Sequence, residues 1–252
     1  MTRTRSGRAG RAKGASRTPV TRERALQTAM VLADSGGIES LSMRKLAGEL
    51  GIEAMSLYHH VKSKEDILDG MVDIVFGEME LPSPGEAWKT AMRRRAESTR
   101  AVLARHPWAI AILDSRTTPG PATLRYSDTV IGYLRAAGFS IPMAAHALSI
   151  LDSYVRGFAM QEASLPLDPS GSIQAATESI LEQQPMMSNA FPHLGAMAAE
   201  LILKPGYAYG NEFQFGLGLI LDGLERALAT ENGPQRGDAP AEGGAGSQSA
   251  AS

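Results

Sequence analysis

Leu41-Ser42-Met43-Arg44-Lys45-Leu46-Ala47-Gly48-Glu49-Leu50-Gly51-Ile52-Glu53-Ala54-Met55-Ser56-Leu57-Tyr58-His59-His60-Val61-Lys62-Ser63-Lys64 decides how the rest of the chain is read. It has the spacing of two short helices joined by a tight turn. Ser42 is placed to cap the first helix by accepting a hydrogen bond from a first-turn N–H. Leu46, Ala47 and Leu50 face inward at i, i+1 and i+4, while Arg44, Lys45 and Glu49 face outward. Gly51 supplies the left-handed residue that ends this helix, and Ile52 plugs the turn. A second helix is expected over Glu53–His60, with Leu57 and Val61 as its inner contacts. Together they make a helix-turn-helix, whose second helix lies in the major groove and presents its first residues to base edges. A glycine-turned helix pair is by itself more often plain packing than a DNA reader. The outward residues tip that balance, because Arg44, Ser56, Tyr58, His59, Lys62 and Lys64 can all donate hydrogen bonds to phosphate.

Charge is distributed accordingly. The net charge of −2 conceals twelve Lys or Arg against five Asp or Glu in residues 1–64, and thirteen against twenty-two in residues 65–252. A basic front end on an acidic body implies that only the front approaches a polyanion. Cysteine is absent, which excludes disulfides and thiolate metal sites. No apolar run approaches the roughly 18–20 residues needed to cross a bilayer, and no signal-peptide core follows the first basic residues. The expectation is a cytoplasmic protein with no membrane partner.

Outward from the motif, residues 1–19 carry Arg3, Arg5, Arg8, Arg11, Lys13 and Arg17 without an acid and are expected to be a disordered basic arm. It is either a weak contact to DNA or a solubilising tail. The DNA-binding domain is placed at 20–66, beginning with a helix capped by Thr18 or Thr21 and ended at Asp34-Ser35-Gly36-Gly37. Ser63-x-x-Asp66 is a capping-box pattern that starts a helix running to about Met79. The body, 67–230, reads as helices throughout: Glu86 to Arg105, a short one over Trp108–Leu113, Ala122 to Ala137, Met143 to Ser164, Ile173 to Gln183, a short one ending at Leu203 after an irregular stretch 185–197, and Tyr209 to Leu228. The fold class is all-α. Met143–Ser164 is apolar nearly all round, which implies burial on every side. The last helix carries Gly216, Gly218 and Gly223, and glycine is unfavourable in a helix interior, so a close approach of another backbone is expected there. These two helices suit a four-helix bundle with a two-fold mate, with ordinary packing within the chain as the alternative, and Leu148, Leu151, Val155, Phe213, Leu217, Ile220, Leu221 and Leu224 are the candidate dimerisation residues. Residues 231–252 are expected to be a disordered tail.

The motif resembles the DNA-binding segment of the tetracycline repressor (TetR) family. The residues that carry the resemblance are Leu41-Ser42-x-Arg44-Lys45-Leu46-Ala47, Leu50-Gly51-Ile52, and Ser56-Leu57-Tyr58-x-His60-Val61-x-Ser63-Lys64. A weaker likeness to the ligand domain of the tetracycline repressor subgroup runs from Thr117 and Pro119 through Tyr133-Leu134, Gly138-Phe139-Ser140, Ala147-Leu148-Ser149 and Gly157 to Phe215–Glu225. The resemblance implies that Arg44 contacts a base or phosphate, that Ala54, Met55, Ser56 and Tyr58 sit at the reading positions, and that Lys64 contacts phosphate. Lys62 and His59 are added as candidate phosphate contacts. Ala54 and Met55 replace a Gln-Pro pair of the tetracycline repressor. Neither can hydrogen-bond a base edge, although either can touch a thymine methyl, so a different operator is expected.

The resemblance also implies an effector pocket in the body. Trp108, Ile112, Tyr126 and Val130 are candidate lining residues, with Tyr133, Tyr154, Phe158 and Met160. The subgroup holds a magnesium–drug complex through a histidine and, by way of water, a carboxylate. Asp114 and Gln161 stand at those positions, and Thr117 is retained. Loss of the histidine points away from magnesium–tetracycline and towards another apolar or aromatic effector. No cofactor, metal site or catalytic residue is expected: the five histidines form no H-E-x-x-H, and no G-x-S-x-G or phosphate-binding loop occurs. The expected partners are a double-stranded DNA operator, a second copy of the chain and a small-molecule effector. The alternative is a ligand-independent nucleoid or partner-binding protein built on the same motif.

Overall fold

The computed structural model describes residues 19–168, 171–183 and 190–232, and every regular element among them is helical. The expected basic arm (apart from Pro19), residues 185–189 of the expected irregular stretch, and the tail beyond Asn232 lie outside the described residues. None of the described helices is long and apolar enough to cross a membrane. The chain divides into two compact units. One runs to Glu78 and takes in Arg105–Thr123; the other comprises Met79–Ala104 and the chain from Leu124 onward. The expected boundary at residue 66 therefore falls at the start of a helix that belongs wholly to the first unit.

In the first unit, α1 (Arg22–Gly36) begins where the Thr21 side chain accepts from the Arg24 N–H and ends at Gly37, whose φ is 72°. A 3-10 turn at Ile38–Ser40 leads Leu41 into the core. In α2 (Met43–Leu50), Ser42 accepts from the Lys45 N–H at 3.2 Å, and Gly51 adopts the left-handed conformation at φ 70°, ψ 32°. The reading helix is shorter than expected. Regular α3 spans Ala54–Leu57 only. Beyond it the N–H groups of His59 and His60 reach the carbonyls of Ser56 and Leu57, three residues back, so the chain tightens into a turn. α4 covers Lys64–Glu78. Leu46, Ala47, Leu50, Leu57, Val61, Ile67 and Met71 form the buried centre, each at most 6% exposed. Among the Arg105–Thr123 residues, the expected short helix is a 3-10 turn at Pro107–Ala111 that packs against α1.

The second unit contains α5 (Trp88–Arg105, as far as Ala104), α6 (Pro121–Ala136, from Leu124), α7 (Ile141–Ser164), α8 (Gln174–Gln183), α9 (Pro192–Met197, continued by a π turn over Ala198–Ile202) and α10 (Gly210–Glu231). Helices α7 and α10 pack on each other within the chain. Their contact corrects the expected dimerisation set. Leu151, Val155, Phe213, Leu217 and Leu221 are at most 1% exposed, so this chain's own core consumes them, whereas Leu224, 5% exposed, keeps an edge on a surface groove. Leu148 and Ile220 are half-buried. Nor is α7 covered all round, since Ile141, Ile150 and Met160 are exposed. The glycines of α10 have a different cause from the one expected. A Cβ on Gly216 would lie 2.3 Å from the Tyr154 hydroxyl, so a side chain rather than a backbone requires the gap. Gly218 and Gly223 meet only arginine side chains, at 3.8 and 4.0 Å.

A carboxylate ties the start of α1 to the chain that follows the reading turn. Asp66 accepts from the Arg22 guanidinium of α1 at 2.8 Å and from the Lys62 N–H at 3.0 Å, while its own N–H is capped by Ser63. The capping box is thus closed one residue early, on Lys62. Partial burial works to raise the Asp66 carboxyl, but the Arg22 guanidinium and the Lys62 N–H outweigh it and hold the group below its ordinary value of 3.8. A depressed carboxyl stabilises the fold above its unfolded pKa, and that contribution is lost as pH falls below 3.8. Thermal melts of wild type and Asp66→Asn across this range are expected to differ at neutral pH and to converge in acid. A constant difference down to about pH 2 would remove the assigned role.

Candidate functional site

The first unit presents one surface with the chemistry of a DNA reader. Leu57, fully buried, anchors α3 from below and leaves its other face outward. Met55 is 76% exposed and Tyr58 47% exposed; His59 is exposed, and Ala54 and Ser56 are half-buried. Arg44 and Lys45 on α2 are exposed, as is Lys62, and Lys64 at the start of α4 is half-buried. The eight expected DNA contacts therefore lie on α2, on α3 and its following turn, and at the start of α4, with at least part of each side chain accessible. These cations and hydroxyls match what holds a protein to phosphate, around a reading helix whose most prominent side chain is apolar. His60 is exposed as well.

The same unit holds a second polar cluster that the sequence did not reveal. Asp34, at the end of α1, accepts from the Trp108 indole N–H at 2.6 Å, and one of its oxygens lies 2.7 Å from His106 Nδ1. The other ring nitrogen of His106 lies 3.2 Å from Glu78 at the end of α4, and Arg105 donates to that same glutamate at 2.6 Å. Burial works to raise the Glu78 carboxyl, but Arg105 and His106 hold it below the ordinary glutamate value. Further along, Arg116 donates to Asp69 at 2.6 Å, and Thr123 donates through both its N–H and its hydroxyl to Asp73. Arg105–Thr123 is therefore tied to α1 and at three places to α4. Of the expected effector residues here, Trp108 is buried with its N–H committed to Asp34, Ile112 is half-buried, and Asp114 and Thr117 are exposed.

The remaining expected effector residues belong to the second unit and fall into two groups. Tyr126 is buried under the Arg95 guanidinium, 5.2 Å from its ring centre, and shares a hydrogen bond with Thr99. Arg95, 3% exposed, pairs with Asp152 at 2.5 Å, while its Nε has no hydrogen-bond partner among the described residues. Burial raises the Tyr126 hydroxyl above its ordinary value. Val130 is fully buried, and Tyr133 donates to the Glu86 carbonyl. The other group is aromatic. Tyr154 stacks on Phe213 at 5.5 Å, Phe158 stacks on Tyr209 at 5.0 Å, and Arg100 lies over both Phe158 and Phe213 while pairing with Glu162. Gln161 accepts from the Tyr209 hydroxyl at 3.1 Å. Beside this cluster is a recess of about 310 Å³, lined by Ser153, Tyr154, Gly157, Phe158, Met160 and Gln161. Sequence reasoning missed Arg100, Tyr209 and Arg95. Arginines on an amphipathic helix read as solvated until their aromatic partners, tens of residues away, are known.

Two family models match the chain. Residues 25–71 match the bacterial regulatory proteins of the tetR family, and residues 81–228 match the tetracyclin repressor-like C-terminal domain. The HTH-type transcriptional repressor DrrR1 of Streptomyces coeruleorubidus is 32% identical over 221 residues, covering 85% of this chain and 80% of that protein. The class A tetracycline repressor protein of transposon 1721 from Escherichia coli is 28% identical, covering 84% of this chain and 95% of its own. Apo ActR from Streptomyces coelicolor superposes with a TM-score of 0.69 at 28% identity over 85% of this chain and 99% of its own; ActR in complex with actinorhodin does so with a TM-score of 0.68, at 28% identity over 84% and 99%. The chain belongs to the tetracycline repressor (TetR) family: it is a ligand-responsive, DNA-binding transcriptional regulator.

Proposed function

We propose that the protein is a homodimeric repressor, that each subunit lays α3 in a major groove of a palindromic operator, and that a planar aromatic effector releases it. The observation that carries this reading is the outward face of α3 and its turn, with Met55, Tyr58 and His59 exposed amid Arg44, Lys45 and Lys62. Two copies would place their reading helices roughly 34–36 Å apart, one helical turn of DNA. A nucleoid-type protein that ignores ligand is the competing reading, and the relatives' repressor names and the ligand-bound state of ActR favour regulation.

Support for the dimer comes from the outward side of α7 and α10. A shallow groove of about 400 Å³ is lined by Met143, His146 and Ile150 of α7 and by Ile220, Gly223, Leu224 and Ala227 of α10. Phe215 and Leu219 extend the apolar surface, at 68% and 58% exposed. Helices apolar on a second face are suited to a bundle with a symmetry mate.

For the effector, the stacked rings of Tyr154, Phe158, Tyr209 and Phe213 beside the recess favour a flat aromatic molecule. Asp114 keeps a hard carboxylate oxygen. The subgroup's histidine is absent, however, and Gln161 stands in place of its carboxylate, which favours an effector other than a magnesium–tetracycline complex. Gln161 offers an uncharged oxygen that already accepts from Tyr209, whereas magnesium takes hard, mostly anionic oxygens in near-ideal octahedral geometry.

The test begins with selection of duplexes from a random pool by the full-length protein, followed by fluorescence anisotropy at two salt concentrations. A palindrome is expected to emerge, and Lys64→Ala, which removes one phosphate contact from each of the two subunits, is expected to reduce the slope of log K against log salt by about 2. Tyr58→Ala is expected to weaken binding without lowering the melting temperature, and wild-type affinity in both variants would remove the site. Actinorhodin, used as the aromatic probe, is expected to lower operator affinity by about 5- to 150-fold. Tetracycline with magnesium is expected to leave it unchanged, and the reverse pattern would overturn the aromatic assignment. Ile150→Glu is expected to give a folded monomer that has lost operator affinity; a dimer at micromolar concentration by sedimentation would place the interface elsewhere.

A further inference from the structure

Among the described residues, Met55 is the most exposed of the large apolar side chains, at 76%. It stands on the element that faces DNA, between two half-buried neighbours, Ala54 and Ser56, and above the fully buried Leu57. The folded chain therefore gives Met55 no packing role, and its side chain gains by burial only against something the protein binds. The surrounding residues restrict what that is. Arg44, Lys45 and Lys62 are all exposed, which suits a polyanion and disfavours an apolar protein surface. On the floor of a major groove the base edges carry hydrogen-bonding groups and one apolar group, the 5-methyl of thymine.

From these facts, and resting on the operator reading above, we infer that Met55 reads the 5-methyl group of a thymine in each operator half-site. Ala54 and Met55 were equivalent candidates in the sequence, and the fold separates them. Ala54 is partly covered and ends at Cβ, whereas Met55 extends an unbranched, adaptable thioether outward. The methionine has no strong donor or acceptor, so it distinguishes thymine from cytosine by the methyl group rather than by a hydrogen bond. Hydrogen-bond readout at this position is replaced by contact.

Deoxyuridine differs from thymidine only by lacking that methyl group and keeps every Watson–Crick and major-groove hydrogen bond. Full-length protein is titrated against the selected duplex and against copies in which each thymine is replaced in turn by deoxyuridine. One position per half-site is expected to lose about fourfold in affinity, and replacement in both half-sites about fifteenfold. Met55→Ala is expected to bind the thymine and deoxyuridine duplexes equally at that position, while Met55→Leu keeps part of the discrimination. Because the side chain is exposed, the melting temperature of each variant is expected to match wild type, so lost discrimination is not lost folding. A flat deoxyuridine profile in the wild type overturns the inference, as does a half-site without thymine or a profile that survives unchanged in Met55→Ala, which would assign the methionine to the sugar–phosphate backbone. If no duplex is enriched at all, the operator reading itself fails. The two failures are thereby distinguished.

Discussion

The carboxylate of Asp66 fixes what the apolar core leaves free. Buried Leu46, Leu50, Leu57 and Ile67 hold α2, α3 and α4 together, but burial is non-directional and tolerates small rotations. Asp66 has directional bonds, one to Arg22 on α1 and one to the N–H of Lys62, the residue through which the chain leaves the reading turn. The side chains that face DNA hang from that turn and from α3. One carboxylate thus couples the first helix of the domain to the end of its reading element. The geometry needed for base contact is more exacting than the geometry needed for stability, and this bond supplies the difference.

The same device recurs along α4. Asp66, Asp69 and Asp73 follow at i, i+3 and i+7, on one side of the helix, and each meets a different piece of the first unit: Arg22, Arg116 and Thr123. Glu78 at its end meets Arg105 and His106. Gly120 has no side chain because a Cβ there would lie 2.3 Å from the Asp73 carboxylate. The chain passes between the units three times, after Glu78, Ala104 and Thr123, and a charged or polar bond within the first unit lies at or close to each crossing. Polar anchors at partly exposed sites contribute modestly to stability. That weakness suits a regulator, because a coupling of about 1–3 kcal/mol between effector and operator needs contacts that can be exchanged at similar cost.

Much of the first unit was legible because its determinants are local. Ser42, Gly51 and the i, i+4 spacing of Leu46 and Leu50 specify α2 and its turn without reference to anything distant, and each is found as read. The end of α3 was not, because the change from i+4 to i+3 hydrogen bonding at His59 and His60 leaves no mark in residue type. Ser63-x-x-Asp66 was visible as a cap, but Arg22 lies 44 residues away and nothing local joins the two. The body was legible as helices and illegible as faces. Two very apolar helices invite a bundle with a partner, and residue type alone gives Leu151, Val155, Phe213 and Leu217 to it. Which stripe of such a helix turns inward depends on its neighbours, and here those four residues pack inside their own chain. Ile150, Phe215 and Leu219, which face out, carry the same kind of side chain. Residue type alone does not separate the two stripes.

Charge and contact then divide the labour at the DNA face. The second unit, residues 79–104 and 124–252, holds sixteen acids against eleven bases, a balance that disfavours a polyanion there. Phosphate neutralisation at the DNA face rests on a handful of cations around α2, α3 and the start of α4, and affinity from counterion release grows with their number. Phosphate contacts carry no sequence information directly. Discrimination must therefore come from the few side chains that α3 and its turn project. Tyr58 and His59 bring hydrogen-bonding groups there, whereas Met55, the most prominent of them, brings only apolar surface. With Met55 on a thymine methyl, as inferred above, such a reader recognises the methyl pattern of its site as well as its hydrogen bonds, and with few phosphate contacts to hold it on other DNA, modest contact energies suffice to separate the operator.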